Sequence, residues 1–199
     1  MNYIKFLVDD IHSTTMATVS DDGLPQARVI DIMYYDEDGL YFLTAKGKKF
    51  YHQLINQKYI ALCGVKNKKS VSVSGKVKSI GSEKLDIIFE RNPYMKSIYP
   101  EGTRDALEVF CLYNGYGQYF DISEPSKIVR DEFLIGNVKE KSKGYYIDEN
   151  CNGCGLCKTN CPQNCIDTSN TPAVIDKKHC LSCGNCEKVC PANAIKKGE

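Results

Sequence analysis

Residues 1–143 are rich in short segments in which hydrophobic and polar positions alternate with a period of two, which predicts β-strands. The start of the chain differs, because Ile4, Leu7, Val8 and Ile11 follow helical spacing. An amphipathic helix is therefore predicted over residues 3–11. The predicted strands are residues 16–19, 26–35, 40–44, 59–65, 70–80, 109–113 and 118–121.

Tight turns and two further helices separate these strands. Helices are predicted at about residues 47–56 and after Ser82, a candidate N-cap, ending before Pro93 because the residue that precedes a proline disfavours the α region. Asn114-Gly115 between two apolar runs is a hairpin signal. Many strands with few helices predict a small barrel.

Composition and charge limit the classes of function. The chain has 199 residues, 42% hydrophobic and 26% charged, with a formal net charge of +1, so we expect neither nucleic-acid nor membrane binding. The apolar run in MNYIKFLVDD is too short for a secretory signal or a membrane span. We therefore expect a cytoplasmic protein.

The cysteines are the unusual feature of the composition. Nine of the eleven lie between Cys151 and Cys190, while Cys63 and Cys111 lie in apolar strand patterns and are predicted to pack in the core. The run C-x2-C-x2-C-x3-C-P begins at Cys151 and recurs 29 residues later at Cys180. In a reducing cytosol, such a repeat indicates metal ligation rather than disulfides.

The spacing of each run suits a [4Fe–4S] cube, with three sulfurs on a tight loop and the fourth from elsewhere. In the two-cluster pattern, the fourth cysteine of each run serves the other cluster. One cluster is therefore predicted on Cys151, Cys154, Cys157 and Cys190, and the other on Cys180, Cys183, Cys186 and Cys161. A pair of zinc sites is the alternative, but zinc usually takes two CxxC pairs at wider separation.

Residues 144–199 resemble the bacterial two-cluster ferredoxins through these motifs. Cys165 is the ninth cysteine and aligns with Ala194 in the repeat, so we interpret it as a buried, unligated thiol, the alternative being a substitute ligand or redox-sensitive thiol. Tyr145 and Tyr146 are predicted to pack on a cluster. The segment holds six lysines and six acidic residues, so two clusters, each adding about −2, would make it acidic and suited to a basic redox partner.

A second candidate site lies where residues 40–44 meet the predicted helix. Lys46, Lys48 and Lys49 gather at the helix start, the end at which the macrodipole disfavours cations. A bound phosphate would explain this placement, because free N–H groups and ammonium groups would converge on it. A solvated turn with surface lysines is the alternative.

Residues 15–54 (TMATVSDDGLPQARVIDIMYYDEDGLYFLTAKGKKFYHQL) resemble the pyridoxamine 5′-phosphate oxidase-like family of FMN-binding split barrels. Weaker similarity continues through residues 71–80 and 108–122. The resemblance implies FMN and a homodimer with flavin at the interface. It also implies flavin contacts along a strand and phosphate contacts at a strand end and helix start. This chain has Phe50 where the oxidase commonly has a second basic residue, and we expect Lys46 to substitute for that residue. The implied residues are Arg28, Val29, Ile30, Asp31, Thr44, Lys46, Lys48 and Lys49.

The predicted architecture is α+β: an FMN-binding split barrel with its linker over residues 1–143, then a two-cluster ferredoxin domain over residues 144–199. Pro125 and residues 139–144 mark the crossing. The Arg-Leu-x-Pro segment of the true oxidase is missing, so we do not expect vitamin B6 oxidation; the nitroimidazole-resistance branch is a nearer analogy.

The leading hypothesis for function is an FMN- and iron–sulfur-dependent oxidoreductase that passes electrons between clusters and flavin to a small acceptor. A redox sensor or an electron carrier without its own substrate is the alternative, and a barrel holding haem or a deazaflavin is a third. His12, His52 and His179 are isolated, so no catalytic residue is assigned.

Overall fold

A computed structural model describes residues 2–138 and 144–198. The chain forms two compact units: Met1–Tyr119 with Glu132–Val138 (unit 1), and Phe120–Asp131 with Lys139–Glu199 (unit 2). The predicted crossing at residues 139–143 lies outside the described residues, and the predicted domain boundary after residue 143 stays a prediction.

The described part of unit 1 is built on one sheet of eight strands. Its order is β2-β1-β5-β6-β7-β4-β3, and β8 pairs with β7. The strands are β1 (Ser13–Val19), β2 (Pro25–Asp31), β3 (Tyr34–Asp36), β4 (Gly39–Ala45), β5 (Tyr59–Lys66), β6 (Lys69–Ser79), β7 (Leu107–Asp121) and β8 (Val129–Ile135). The alternating pattern predicts a strand-rich unit, but β8 lies outside the seven predicted strands. The single strand predicted for residues 26–35 is divided into β2 and β3, because Ile32 and Met33 turn into the core between them.

Short helices flank this sheet. The predicted opening helix is present, but only its first turn, α1 (Tyr3–Lys5), is α-helical and Phe6–Ile11 is a π-helix. The others are α2 (Lys49–Gln57), α3 (Leu85–Arg91), α4 (Met95–Ile98) and a 3₁₀ turn (Arg104–Ala106). The prediction that Ser82 caps α3 is wrong: the N-cap is Lys84, in the left-handed region without a side-chain cap, and Ser82 contributes only its carbonyl to Leu85 N–H.

The hairpin predicted at Asn114-Gly115 is also wrong, because β7 runs through it without a turn. The glycine serves close strand approach instead: a Cβ on Gly75 of β6 would lie 2.6 Å from the Gly115 Cα. The Asn114 side chain accepts a hydrogen bond from Asn137 N–H at 3.0 Å. Asn-Gly therefore lets β6 and β7 approach closely rather than reversing the chain.

Alternation along β5 divides its residues between two environments. Ile60 and Leu62 are buried, whereas Cys63 on the opposite face is exposed. The prediction that Cys63 packs in the core is therefore wrong, since it falls on the outward phase of the strand. Cys111 is 1% exposed and packs with Tyr41, as predicted for a core thiol.

Unit 2 repeats a half-domain. Its elements are β9 (Gly144–Ile147), α5 (Leu156–Thr159), β10 (Ile166–Asp167), β11 (Val174–Ile175), a 3₁₀ turn (Lys177–His179), α6 (Asn185–Lys188) and β12 (Ile195–Gly198). β9 pairs with β12 and β10 with β11, both antiparallel. No helix in the described parts of either unit is both long and apolar enough to cross a bilayer.

Residues 120–131 belong to unit 2 and are called the strap. The strap is fixed in its C-terminal half by Ile128, which is buried. Ile128 N–H donates to Gln163 Oε1 at 3.1 Å, and the Ile128 carbonyl lies 2.6 Å from His179 Nδ1. Arg130 Nη1 donates to Ser182 Oγ at 2.9 Å. The strap is therefore part of the cysteine-rich unit, although it lies before the motifs in sequence.

Candidate cofactor sites

Two cavities in the described part of unit 2 are each lined by four predicted cluster cysteines. Cavity I has a volume of about 360 Å³, counting the part open to solvent, and cavity II about 340 Å³. Cavity I is lined by Cys151, Cys154, Cys157 and Cys190, and cavity II by Cys180, Cys183, Cys186 and Cys161. Each cavity therefore takes three cysteines from one motif and the fourth from the other, the grouping that the crossed pattern predicts; their role as iron ligands stays a prediction.

The loops that present these cysteines have the same conformation in both halves. Gly155 and Gly184, at equivalent positions, precede α5 and α6 with φ of 76° and 77°, which favours glycine. The chain can therefore turn sharply before the helix that carries the third cysteine. Backbone N–H groups then reach the sulfurs: Ser182 N lies 3.4 Å from Cys180 Sγ, and Ala194 N lies 3.3 Å from Cys190 Sγ.

The donor set fits an iron–sulfur cube. Among the described residues, no three His, Cys, Asp or Glu side chains converge closely enough to hold a single metal ion. The sulfurs instead surround a space with apolar walls, formed at cavity I by Ile147, Ala173 and Ile195 and at cavity II by Ile166 and Ile175. Thiolates around an enclosed volume, with N–H groups directed at them, are what a cluster requires.

Cys165 also lines cavity II, and its Sγ lies 3.4 Å from Cys161 Sγ. Burial alone would raise the pKa of Cys161, but hydrogen bonds from the backbone of Cys165, Gln163 and Asn164 and from the Cys165 thiol outweigh it, and the pKa is lowered. Burial raises the pKa of Cys165, and the neighbouring Cys161 thiolate adds to the shift. Since the thiolate is the metal ligand, the opposite directions of the two pKa shifts agree with the predicted choice of Cys161 rather than Cys165 as the ligand.

The two tyrosines of β9 have different environments. Tyr145 is buried and lines cavity II, whereas Tyr146 is 47% exposed and lines neither cavity. The prediction that both pack on a cluster is therefore right in placing Tyr145 at the cavity and wrong for Tyr146. Successive residues of a strand point to opposite sides.

In unit 1, the candidate phosphate site lies between the end of β4 and the start of α2. Thr44 is 3% exposed, and its Oγ1 is a buried side-chain oxygen without a hydrogen-bond partner in the described residues. Helix α2 begins at Lys49, and its extended N-cap, Lys48, makes no side-chain capping bond. Lys48 and Lys49 are exposed beside these unfilled positions. An orphaned hydroxyl next to an uncapped helix start fits a phosphate.

The other predicted cation, Lys46, has a different contact. Its Nζ donates to the Asp105 carbonyl at 3.1 Å, and its backbone N–H donates to the Ala106 carbonyl. Lys46 thus ties the β4–α2 turn to the segment before β7. The resemblance implies that Lys46 substitutes for a basic residue that the family has where this chain has Phe50. The ammonium group of Lys46 instead contacts the Asp105 carbonyl, so this contact does not support the substitution.

Arg28 is held close to the start of α2 by contacts that the sequence does not reveal. Its guanidinium carbon lies 4.6 Å from the Phe50 ring centroid. Its nitrogens donate to Thr18 Oγ1 at 2.6 Å and to Gln53 Oε1 at 3.0 Å. Phe50 therefore positions a cation rather than supplying one. Gln53, a polar residue on the apolar face of α2, was the one sequence signal for this network.

The remaining predicted residues lie on β2, an edge strand. Val29 is 69% exposed, and the Ile30 carbonyl accepts a hydrogen bond from Thr14. Asp31 accepts from Ser13 Oγ at 2.6 Å and from Tyr94 Oη at 2.7 Å. Burial opposes ionisation of Asp31, but these two hydrogen bonds prevail, and its pKa is lowered.

His12 extends this group and was missed as a neighbour of Asp31. Its Nε2 lies 3.2 Å from Tyr94 Oη and 3.5 Å from Asp31 Oδ2. The backbone of His12 has φ 62° and ψ −65°, a strained conformation for a residue with a side chain. The expectation that His12 is isolated is therefore wrong.

Comparisons with known proteins agree with both predicted resemblances. Residues 3–110 match the family model described as pyridoxamine 5′-phosphate oxidase, and residues 150–194 match the 4Fe-4S dicluster domain. A pyridoxine/pyridoxamine 5′-phosphate oxidase of Bordetella petrii is 31% identical over 104 residues, 51% of this chain and 50% of the relative. One from Sinorhizobium fredii is 28% identical over 134 residues, 65% of each chain. This chain spans about half the length of the first of these relatives.

Solved structures confirm the predicted fold class of the barrel. A NimC/NimA family protein from Clostridium acetobutylicum superposes with a TM-score of 0.58 at 19% identity, covering 68% of this chain and 93% of that one. A protein related to general stress protein 26, of the pyridoxinephosphate oxidase family and from the same organism, gives 0.52 at 17% identity, covering 65% and 94%. The chain belongs to the pyridoxamine 5′-phosphate oxidase family and carries a 4Fe-4S dicluster domain after the family's own domain.

Proposed function

We propose that this protein is an FMN- and iron–sulfur-dependent oxidoreductase that passes electrons between two [4Fe–4S] clusters and a flavin to reduce a small acceptor. The observation that carries the proposal is the Thr44 hydroxyl at the end of β4, which has no partner in the described residues, on the same chain as two cavities that each take four predicted cluster cysteines. Residues 1–143 are assigned to the flavin and residues 144–199 to the clusters.

The eight predicted ligand cysteines of cavities I and II, without Cys165, would hold the clusters, which supply one-electron transfer when bound. The N–H groups of Ser182 and Ala194 donate to sulfurs and so stabilise thiolate character. The apolar walls restrict the access of water. Cysteines kept as thiolates need a reducing compartment, so we assign the protein to the cytoplasm.

The start of α2 would hold the FMN phosphate. Thr44 would donate its hydroxyl to a phosphate oxygen, and Lys48 and Lys49 would neutralise the charge beside the N–H groups of the helix start. Arg28 adds a fixed cation near this point, and β2 would lie along the flavin, as the family resemblance implies. When bound, FMN accepts electrons singly and delivers them in pairs, which suits a chain that also carries clusters.

We propose a homodimer on the outward face of β2, β1, β5 and β6. Two rows of residues in register cross this face, and none of them is charged. The rows are Val29, Thr15, Cys63 and Ser72, and Ala27, Ala17, Ala61 and Ser74. Charged residues are depleted at the core of a protein–protein interface, so the absence of charge from these two rows supports burial of this face. A second copy would cover it.

The test begins with protein purified without oxygen. We expect flavin absorption bands above broad iron–sulfur absorption, with about eight irons and one flavin per chain. Rapid reduction of the clusters should then reduce the flavin at a rate independent of protein concentration, because both centres belong to one assembled protein. Flavin reduction in proportion to concentration, or none, would contradict transfer within the protein.

Turnover separates the oxidoreductase from the alternative. Steady consumption of electrons with a small acceptor, such as a nitro compound, supports an enzyme. Bound flavin and clusters without turnover on such acceptors would favour the sensor or carrier. Bound haem or a deazaflavin in place of FMN would overturn the cofactor assignment.

A further inference from the structure

The internal repeat allows the surroundings of cavities I and II to be compared position by position. The motifs are offset by 29 residues, so Ser182 occupies the place of Gly153, and Cys165 that of Ala194. Ser182 and Gly153 have similar backbone conformations, with φ of 54° and 73°. Cys165 lines cavity II, and Ala194 lines cavity I. The cavities therefore differ in side chains more than in shape.

Ser182 joins a cation to a cluster cysteine. Its backbone N–H points to Cys180 Sγ at 3.4 Å, and its hydroxyl accepts from Arg130 Nη1 at 2.9 Å. Arg130 belongs to the strap, 50 residues before Cys180 in the sequence. A permanently charged guanidinium therefore lies one residue away from the cysteines of cavity II.

Cavity I lacks this arrangement at the equivalent position. Gly153 has no side chain to accept a hydrogen bond from a cation, and a Cβ there would lie 2.8 Å from Thr171 Oγ1. Thr171 thus occupies the space that the Ser182 side chain uses in the other half. The repeat does not provide a counterpart of the Arg130 contact.

The residues before each motif add to the asymmetry. The three residues before Cys151 are Asp148, Glu149 and Asn150, whereas Lys177, Lys178 and His179 precede Cys180. Lys178 is 4.0 Å from Asp131 of the strap, so part of this positive charge is balanced. Within the motifs the order of charge is reversed, because Lys158 follows Cys157 and Glu187 follows Cys186. The Arg130 contact to Ser182 is the cation contact that the repeat does not duplicate.

Reduction of a cluster by one electron adds one negative charge to it. A nearby cation stabilises the reduced form more than the oxidised form, and an acidic neighbour does the opposite. Resting on the proposed function of two clusters, we infer that the cluster of cavity II is the more easily reduced, and that Arg130, acting through Ser182, sets the difference. The electron from a low-potential reductant then resides on the Cys161, Cys180, Cys183 and Cys186 cluster first.

The test is a redox titration of the anaerobic holoprotein, followed by electron paramagnetic resonance with dithionite as the reductant. The wild type should show two one-electron steps at least tenfold apart in equilibrium constant, which is 59 mV for such a couple. Arg130→Gln should lower the upper step at least tenfold and leave the lower step in place. Arg130→Lys, the matched control that retains the charge, should keep most of the separation.

Iron analysis accompanies each variant, because a structural role would change occupancy and not potential. If Arg130→Gln loses iron, Ser182→Ala decides: a lowered upper step with full iron supports the inference, and an unchanged one overturns it. Clusters that titrate together in the wild type, or steps that both move or both stay in Arg130→Gln, also overturn it. A wild type without eight irons or without flavin would instead contradict the proposed function.

Discussion

The Sγ atoms of Cys161 and Cys165 lie 3.4 Å apart, within hydrogen-bonding distance of each other. Both line cavity II, and the proposed function gives them different roles, Cys161 as the fourth ligand and Cys165 as an unligated neighbour. The repeat supports this division, because Cys190 matches Cys161, whereas Ala194 takes the place of Cys165.

The first prediction therefore concerns this pair. Cys161→Ala should lose the cluster of cavity II, about four irons per chain, and destabilise unit 2 because metal binding and folding are coupled. Cys165→Ala should retain about eight irons. Iron analysis with absorption spectra checks both variants, and the assignment is wrong if Cys165→Ala loses a cluster while Cys161→Ala keeps both.

The second prediction concerns the lysines at the start of α2. Lys48→Glu combined with Lys49→Glu should release FMN and leave the clusters intact, because attraction to phosphate is replaced by repulsion, each worth about 1 kcal/mol or more at such a site. Flavin and iron content are measured on the same sample. Lys46→Glu is the control, since its ammonium group contacts the Asp105 carbonyl. Full flavin in the double variant would exclude this phosphate site.

The third prediction uses the orphaned hydroxyl of Thr44. Thr44→Val should weaken FMN binding by about 10- to 150-fold, equivalent to one lost hydrogen bond to a charged group. In flavin-free protein the same change should raise the free energy of unfolding of unit 1 by about 1 kcal/mol, since it removes a buried group without a partner.

Thr14→Val is the matched control for the predicted gain in flavin-free stability, because the same change there removes a hydroxyl that has a partner. The Thr14 hydroxyl donates to the Ile30 carbonyl at 2.9 Å, so its loss should lower the stability of flavin-free protein by about 1 kcal/mol. Thermal or urea unfolding monitors stability, and flavin fluorescence monitors affinity. A loss of flavin-free stability in Thr44→Val would show that its hydroxyl already has a partner in the protein.

The fourth prediction addresses the uncharged outward face. Ala61→Arg should weaken the dimer at least about 100-fold, because an unpaired charge would be buried between the copies, and flavin should be lost with it. Ser97→Arg, at an exposed position of α4, should remain dimeric. Light scattering after size-exclusion chromatography measures the mass, and a monomeric wild type would refute the interface.

The sequence predicts the cysteine grouping because the information is local and repeated: spacing, proline and glycine recur at a fixed offset. The alternation of residues 59–65 also predicts the strand β5. It does not show which of the two faces is buried, and the prediction for Cys63 is wrong for that reason. Asn114-Gly115 has the local signature of a hairpin, yet a neighbouring strand needs the small residue there. In that case a tertiary contact determines the local conformation.

The network around Arg28 could not be predicted for the same reason. Thr18, Phe50 and Gln53 meet Arg28 only because β1, β2 and α2 pack together, at sequence separations of up to 25 residues. Likewise, the strap residues carry no motif, and only folding brings Arg130 to Ser182. Short-range chemistry is readable from one sequence, whereas partners at long range depend on the packed structure.

The division of the chain into units bears on how such a protein could be recombined. The polypeptide passes from one unit to the other after Tyr119, returns after Asp131, and leaves again after Val138. A single genetic breakpoint cannot exchange one module cleanly, because any cut after Val138 leaves residues 120–131 behind with the donor barrel. Grafting the ferredoxin portion onto another flavoprotein would therefore require moving residues 120–131 as well. The unit that folds together is not one continuous stretch of the gene.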